Sequence, residues 1–485
     1  MRQTTIVAVL DTAARPADVL QAAGDAHWLE LRADAAGELD PDWLRARFDG
    51  PLLYSLRGRG PSRVQKLLRA AQQFDLIDLD VADLSDEILH AIPPARRVLS
   101  AEFAAASLAE LRHAAAGMTR IPARLYRLTT RAARSGEELA APQLLAELQR
   151  DDVTAFATGP TGLWTRILAP WLGAQIVFGN AAGDDAPTGT PSVGRLIDSF
   201  GFPSLRPVEE LYGMVGNPVM HSLSPRIHNT AFHALGRKGL YLPFHAPDFD
   251  LFWTRLVTSG AFERLGFHLR GLSVVSPHKT NALGAAKYKS SIVQRAVSTN
   301  LFHKKGDDWL AESTDAHGVM QTLLDHGVHA RNRRVAVVGC GGSGRAMAAA
   351  LHDAGADVTL VNRGIERGSL AKGVLHLPFV PLSTFNCEGY SLVVNATPVG
   401  RAGEELPFPV EKLSRDAVLV DLVYRDTPTL LITRTRGPGR ITIDGWDMLM
   451  AQARHQFELM TGLEMPAELI RQTLGFEPAV AAVAE

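Results

Sequence analysis

The residues of this chain best suited to chemistry fall in its second half. In GLSVVSPHKTNAL, residues 271–283, an apolar run ends at Pro277, and His278 and Lys279 stand just beyond it. Further on, AVSTNLF (296–302) and the run after the Gly306 turn read as a hairpin ending in Ser313-Thr314-Asp315. A lysine and an aspartate at successive strand ends can converge on one cleft and form a proton-transfer pair. Either residue alone is most often plain surface. Upstream, Ser222 and Ser224 flank Leu223, so both hydroxyls can face one side of an extended segment. Such a pair suits a ligand carboxylate, but capping of a helix entered through Pro225 and Arg226 is the commoner use and the default reading.

A second group gives that pair something to work with. Residues 335–363 read VAVVGCGGSGRAMAAALHDAGADVTLVNR: an apolar strand (335–338), a glycine turn, a helix (345–354) closed by Gly355, and a second strand (358–361). Gly339 makes the tight turn, Gly341 lets the backbone approach a pyrophosphate, and Gly344 lets the helix sit close to the strand, with Gly342 in the same run. Amide groups at the helix start then meet phosphate charge. The second strand ends in Asn362-Arg363, where an NAD site usually carries Asp or Glu for the ribose. A guanidinium there grips a 2′-phosphate with two hydrogen bonds, so Arg363 and Arg367 point to NADP.

These residues need several domains to position them. At 485 residues the chain is expected to hold two or three. A net charge of −2 gives no bias toward polyanions, so nucleic acid is not an expected partner. The two cysteines, Cys340 and Cys387, cannot make a disulfide framework, which fits a reducing cytoplasm. The N-terminal apolar run is too short for a signal peptide, and no run approaches the ~20 apolar residues of a membrane span. Nothing in the spacing implies a metal site.

From residue 5 to about 199, short apolar runs at 5–10, 28–32, 52–56, 76–80, 97–100, 124–128, 153–158 and 175–178 alternate with helical patterns such as 62–73 and 137–149. Eight such units predict a (β/α)8 barrel, whose chemistry sits at the C-terminal strand ends. Glu30, Arg32, Arg57, Asp80, Ser100, Arg127 and Arg166 gather at those ends. Several arginines at one mouth suit a carboxylate ligand, and they equally suit a solvated rim.

Here ELRAD (30–34), YSLR (54–57), LIDLD (76–80) and TGPTGLWTR (158–166) resemble type I 3-dehydroquinate dehydratase, a (β/α)8 barrel that uses a Schiff-base lysine and a histidine. The resemblance puts Glu30, Arg32, Arg57 and Arg166 at substrate-contacting positions. The catalytic positions do not match. Where the family has its lysine, ARLYRLTT places Arg127, which cannot form an imine. Lys66, the only lysine before Lys238, falls on the predicted helix 62–73, and Ser100-Ala101-Glu102-Phe103 lacks the family's histidine. The barrel is therefore expected to be inactive by that route, though its arginines could still hold an acid.

The second half resembles shikimate dehydrogenase through GNPVMHSLSP, SPHK, STDAHG, GCGGSGRA, VNATPVG, DLVYRDTPT and GWDMLMAQ, in the family's order. That resemblance implies a substrate domain (211–316), a Rossmann domain binding NADP (317–446) and C-terminal helices returning to the substrate domain (447–485), joined to the barrel (1–200) by a linker (201–210). It implies Lys279 and Asp315 as the catalytic pair, with Ser222, Ser224, Ser298, Tyr424 and Gln452 around the substrate. Gly339, Gly341, Gly342, Gly344, Asn362, Arg363, Arg367 and Thr397 would line the cofactor. The implied reaction is reversible hydride transfer between NADPH and the ring ketone of a 3-dehydroshikimate-like cyclic acid.

Four pocket positions depart from the family pattern: Ser273, Val275, Ser298 and Ser313 stand where Asn, Thr, Asn and Asn are usual. Val275 has no hydroxyl, so one family hydrogen bond is lost. Asn300, two residues from Ser298, could restore a contact. These changes bear on which acid fits. A quinate or aminoshikimate dehydrogenase, or a sensor binding NADP and a cyclic acid without turnover, are the rival readings, and a homodimer stays open.

Overall fold

The structure, a computed structural model, describes residues 2–12, 23–58, 60, 62–182 and 189–476. The chain divides into two compact units, Met1–Leu269 and Arg270–Glu485.

In the first unit the eight anticipated apolar runs are all strands: β1 (Thr5–Leu10), β2 (Trp28–Arg32), β3 (Leu52–Ser55), β4 (Leu76–Asp80), β5 (Arg97–Phe103), β6 (Leu125–Arg131), β7 (Val153–Thr158) and β8 (Ile176–Asn180). Each from β1 to β7 pairs in parallel with its sequence neighbour, and β8 pairs with β1. The barrel is thus nearly closed. Among the described residues no ladder joins β7 to β8. The rings of Phe156 and Phe178 face each other across that seam at 5.9 Å. Val7, Trp28, Leu53, Leu76, Val98, Leu125, Phe156 and Phe178, one from each strand, form a single buried cluster. Each such side chain contributes roughly 1.5–3 kcal/mol on burial.

The segment after the barrel is tied down along part of its length. Ser204–Leu205 pairs antiparallel with Arg2–Gln3, and the Trp171 indole donates to the Arg206 carbonyl at 2.8 Å. Then β9 (Glu210–Gly216) and β10 (Gly239–His245) pair in parallel across the helix Ser224–Ala234. Trp164, on the short helix after β7, sets its ring against Phe244 of β10 and Phe262, at 5.8 and 5.5 Å.

In the second unit, residues 271–273 of β11 (His268–Val274) pair antiparallel with β12 (Leu301–Lys305), which pairs with β13 (Asp308–Glu312). Helix α1 (Thr314–Asp325) leads into a parallel sheet ordered Phe379–Pro381, Asp357–Asn362, Arg334–Val338, Leu392–Asn395, Val418–Asp421, Thr442–Ile443. This is the strand order 3-2-1-4-5-6 of a dinucleotide-binding sheet, with its switch point at the first strand. Helix α2 (Gly342–Asp353) follows that strand. It begins three residues earlier than the sequence pattern implied, because Gly342, Ser343 and Gly344 already have helical geometry despite their weak propensity. Helix α3 (Gly445–Thr461) packs along α1. A Cβ on Gly318 would lie 2.8 Å from Gln452 Cγ, so the glycine permits that approach.

Candidate active site

Lys279 lies past the end of β11, in a turn whose carbonyl accepts from the Thr299 amide at 2.8 Å. Asp315 sits in the first turn of α1, where the helix dipole favours an anion. The two meet: Lys279 Nζ donates to Asp315 Oδ2 at 2.7 Å, with 17% and 4% of the side chains exposed. Gln452 of α3 donates to the other oxygen, Asp315 Oδ1, at 2.8 Å. Lys279 also donates to Ser343 Oγ, at the start of α2, at 2.8 Å. Asp315 therefore has both oxygens engaged, and the ammonium lies against the glycine turn.

The glycines make that approach possible. Gly339 has φ +111°, and a Cβ there would meet the Ala396 carbonyl at 2.8 Å. At Gly344 a Cβ would overlap the Gly339 carbonyl, and at Gly342 it would run into Ser298 Oγ and Lys279 Cβ, at 2.5 and 2.9 Å. Gly342 thus brings the turn against Ser298 and Lys279. Around Gly341 the space is open, with no atom within 4 Å of where a Cβ would stand. That opening and the uncapped start of α2 suit a phosphate. Asn362 Oδ1 accepts from the Cys340 amide at 3.1 Å, so this side chain braces the turn. Arg363 and Arg367 are exposed, and Arg367 is close enough to act electrostatically on Cys340 and Arg345. Thr397 donates through both amide and hydroxyl to Asn395 Oδ1, and Asn395 in turn donates to the buried Asp421. Burial raises the Asp421 carboxyl above its ordinary value.

The half-buried Tyr424 ring lies tilted against Trp446 at 5.3 Å, with the Arg401 guanidinium 5.9 Å from its centre. In the first unit, Ser222 Oγ accepts from the Ser224 amide at 3.2 Å, a local bond at the helix start. Asn300 braces the start of α1. Its amide donates to Thr314 Oγ1 at 2.9 Å and its carbonyl accepts from the Thr314 amide at 2.7 Å, because the start of α1 has no side-chain cap of its own. Ser273 likewise faces inward, donating to Gln456 Oε1 at 3.0 Å.

Three contributors were not singled out by sequence reasoning. Ser343 read only as part of a glycine turn. Gln456, one turn beyond Gln452, donates to Thr314 Oγ1 at 3.0 Å and so holds the turn that carries Asp315. Arg345, buried, donates to the carbonyls of Ala296, Val297 and Cys340 and to Thr280 Oγ1. Burial lowers its pKa from the usual arginine value. It links the glycine turn to the residues beside Lys279 and Ser298. Only the helical i, i+4 spacing of Gln452 and Gln456 offered a signal; the other partners are remote in sequence.

The barrel mouth, in the first unit, is a cavity of about 480 Å3. Arg127 donates to Glu30 at 2.8 and 2.9 Å and to Asp78 at 2.5 Å, all three side chains being buried. Burial alone would raise both carboxyls; Arg127 and Arg57, joined at Asp78 by hydrogen bonds from Ser100 and Ser55, together outweigh it and hold them below their ordinary values. Arg57 pairs with Asp78 at 2.9 Å, and Arg32 with Asp34 at 2.9 Å. Arg166 differs: it lies over the Phe156 ring at 4.1 Å and donates only weakly to the Phe178 carbonyl at 3.4 Å. Burial, reinforced by Arg127, pushes its pKa down to about 10. Lys66 is on the helix Arg63–Ala70, near Glu38 and half exposed, away from this cluster.

Among the described residues no cluster of His, Cys, Asp and Glu could hold a metal, and no helix is long and apolar enough to cross a membrane.

Comparison with known proteins gives three family matches: type I 3-dehydroquinase over residues 7–201, the shikimate dehydrogenase substrate binding domain over 214–301, and the shikimate 5′-dehydrogenase C-terminal domain over 445–474. A shikimate dehydrogenase (NADP(+)) of Halorubrum lacusprofundi is 35% identical over 279 residues, covering 55% of this chain and 99% of that protein. The chloroplastic bifunctional 3-dehydroquinate dehydratase/shikimate dehydrogenase of Arabidopsis thaliana is 30% identical over 339 residues, covering 65% of this chain and 55% of that protein. The crystal structure of shikimate dehydrogenase from Aquifex aeolicus superimposes with a TM-score of 0.51 at 25% identity, over 56% of this chain and 99% of that one. With relatives matched over nearly their whole length and a dehydroquinase match ahead of them, the chain belongs to the shikimate dehydrogenase family, carrying a type I 3-dehydroquinase-like barrel at its N-terminal side.

Proposed function

We propose that the chain is an NADP-dependent shikimate dehydrogenase, reducing the ring ketone of 3-dehydroshikimate to the alcohol of shikimate. The observation that carries this reading is the Lys279–Asp315–Gln452 chain of hydrogen bonds set against the glycine turn. NADPH would supply the hydride when bound. Gly341 and the start of α2 would take its pyrophosphate, and Arg363 and Arg367 its 2′-phosphate. Lys279 donates the proton that the developing alkoxide needs and places positive charge beside it. Asp315 orients the ammonium, and Gln452 fixes Asp315 and offers its remaining polar atoms to ring hydroxyls. Val275 and Ser298 adjust which acid fits. Within this reading the domains run 1–200, 211–316, 317–446 and 447–485, with 201–210 as linker.

For the barrel we infer binding of a small acid without covalent catalysis. Arg127 has no nucleophilic amine to give, whereas Arg166 keeps hydrogen-bonding capacity toward the cavity.

Two measurements test these readings. Full-length protein with NADPH should consume it on addition of 3-dehydroshikimate, faster than with 3-dehydroquinate and faster than with NADH; inertness toward all of these refutes the dehydrogenase. Borohydride with 3-dehydroquinate should leave the protein's mass unchanged, and a covalent adduct refutes the barrel reading.

A further inference from the structure

We propose that Ser343 is a positioning residue for Lys279, fixing which of the three ammonium N–H bonds faces the substrate. The inference rests on Lys279 being the proton donor of the proposed dehydrogenase. An ammonium has three donors and no acceptor. One is directed to Asp315 Oδ2 at 2.7 Å and a second to Ser343 Oγ at 2.8 Å, which leaves a single N–H uncommitted. Without the second anchor the ammonium could turn about its Cε–Nζ bond and share its protons among several directions.

Ser343 is well placed for this. It is the second residue of α2, carried on backbone that Gly342 allows to press against Ser298 Oγ and the Lys279 side chain. Arg345, two residues on, donates both to the Cys340 carbonyl in the glycine turn and to Thr280 Oγ1, adjacent to Lys279. One buried guanidinium thus ties the glycine turn before Ser343 to the residue that follows Lys279.

The chemistry favours a hydroxyl here over a second carboxylate. A second anion would strengthen the hold of the nitrogen on its proton, whereas a neutral oxygen fixes direction with less effect on acidity. In the reduction, hydride adds to the carbonyl carbon and leaves an alkoxide. The uncommitted N–H bond then breaks, its proton forms the O–H bond of the alcohol, and its electron pair stays on nitrogen as the lone pair of a neutral amine. Asp315, ionised, can only accept hydrogen bonds. Once the proton has left, a turn of the neutral amine about Cε–Nζ brings its lone pair to face Ser343, whose hydroxyl can then donate to it, so the same residue serves both protonation states.

The test compares wild-type, Ser343→Ala and Ser343→Thr full-length protein with NADPH and 3-dehydroshikimate. Turnover, the Michaelis constants, the NADPH dissociation constant by fluorescence, and the solvent deuterium isotope effect on kcat are measured. Ser343→Ala is expected to lose about tenfold in kcat, in line with one hydrogen bond to a charged group. Its NADPH affinity should stay within about twofold and its isotope effect should grow as proton transfer becomes rate-limiting. Ser343→Thr, which keeps the hydroxyl, should recover most of the turnover. Unchanged kcat in Ser343→Ala, a loss confined to NADPH affinity, or a threonine variant as slow as alanine would overturn the proposal. Wild-type protein inert toward NADPH and this acid would remove the dehydrogenase reading and the proposal with it, whereas an active wild type with a silent Ser343→Ala removes only the proposal.

Discussion

Replacing Arg127 by methionine should destabilise the barrel, and the structure sets the size of the effect. Arg127, Glu30 and Asp78 are 4%, 1% and 2% exposed, and the guanidinium gives Glu30 two hydrogen bonds and Asp78 one. Methionine preserves most of the volume but leaves Glu30 without a cation in hydrogen-bond contact, while Asp78 keeps Arg57; the one Ser55 O–H lies within reach of both carboxylates and serves one at a time. Removing one partner of a buried ion pair costs about 3–5 kcal/mol, because the remaining charge is uncompensated. Glu30 here loses its directly bonded cation and keeps the more distant field of Arg57, and Asp78 keeps its Arg57 ion pair, so about 4 kcal/mol is the expected loss near neutral pH. At ~2 kcal/mol per molar urea this moves the unfolding midpoint down by about 2 M. The sign of the pH dependence is fixed as well. In the wild type both carboxyls are held below their unfolded values, so their contribution is present above those values and lost as pH falls through the folded ones. The Arg127→Met deficit should therefore be full at pH 7.5 and shrink on acidification toward the range where Glu30 and Asp78 protonate. The assay is urea unfolding followed by hydrogen exchange in peptides from β2 to β6, which separates the barrel from the second unit. A deficit below about 1 kcal/mol at pH 7.5, or one that does not shrink in acid, would refute the reasoning.

Two further outcomes follow from other features. Glu138, 1% exposed, accepts from the Gly136 amide at 2.6 Å and the Trp164 indole at 3.3 Å, and burial raises its carboxyl to about 7 from 4.5. Its stabilising contribution is then full below the unfolded value and lost as pH rises through 7, by about 3 kcal/mol in total, so Glu138→Gln should abolish that decline when urea midpoints at pH 5 and pH 8 are compared. A wild-type slope retained in the variant would contradict this. The double change Arg363→Ala with Arg367→Ala should weaken NADPH binding at least about tenfold and leave NADH binding nearly unaltered, as titration by nucleotide fluorescence would show. Equal losses for both nucleotides would argue against the 2′-phosphate role.

The barrel was legible from the sequence because its strands are short apolar runs at even spacing, and burial demands that pattern whatever the ligand. The glycine turn was legible for a related reason: a left-handed φ at Gly339 and a backbone-to-backbone contact at Gly344 leave no choice of residue. The start of α2 was misplaced because glycine and serine carry little helix propensity and the fold overrides it. Lys279 and Asp315 stood out because each follows a strand end. Ser343, Gln456 and Arg345 did not, since their partners lie 64, 142 and 49 residues away and nothing local marks the pairing. Asn300 was noticed for its proximity to Ser298, whereas its bonds to Thr314, which brace the start of α1, reach across 14 residues with no local mark.

The most direct test of the dehydrogenase reading is NADPH consumption by Lys279→Met protein in the presence of 3-dehydroshikimate. Removing the ammonium beside Asp315 should lower kcat by at least about a thousandfold while NADPH still binds with near wild-type affinity, since general-acid catalysis and charge stabilisation are lost together. Turnover within about tenfold of wild type would place the proton donor elsewhere and contradict the assignment of Lys279.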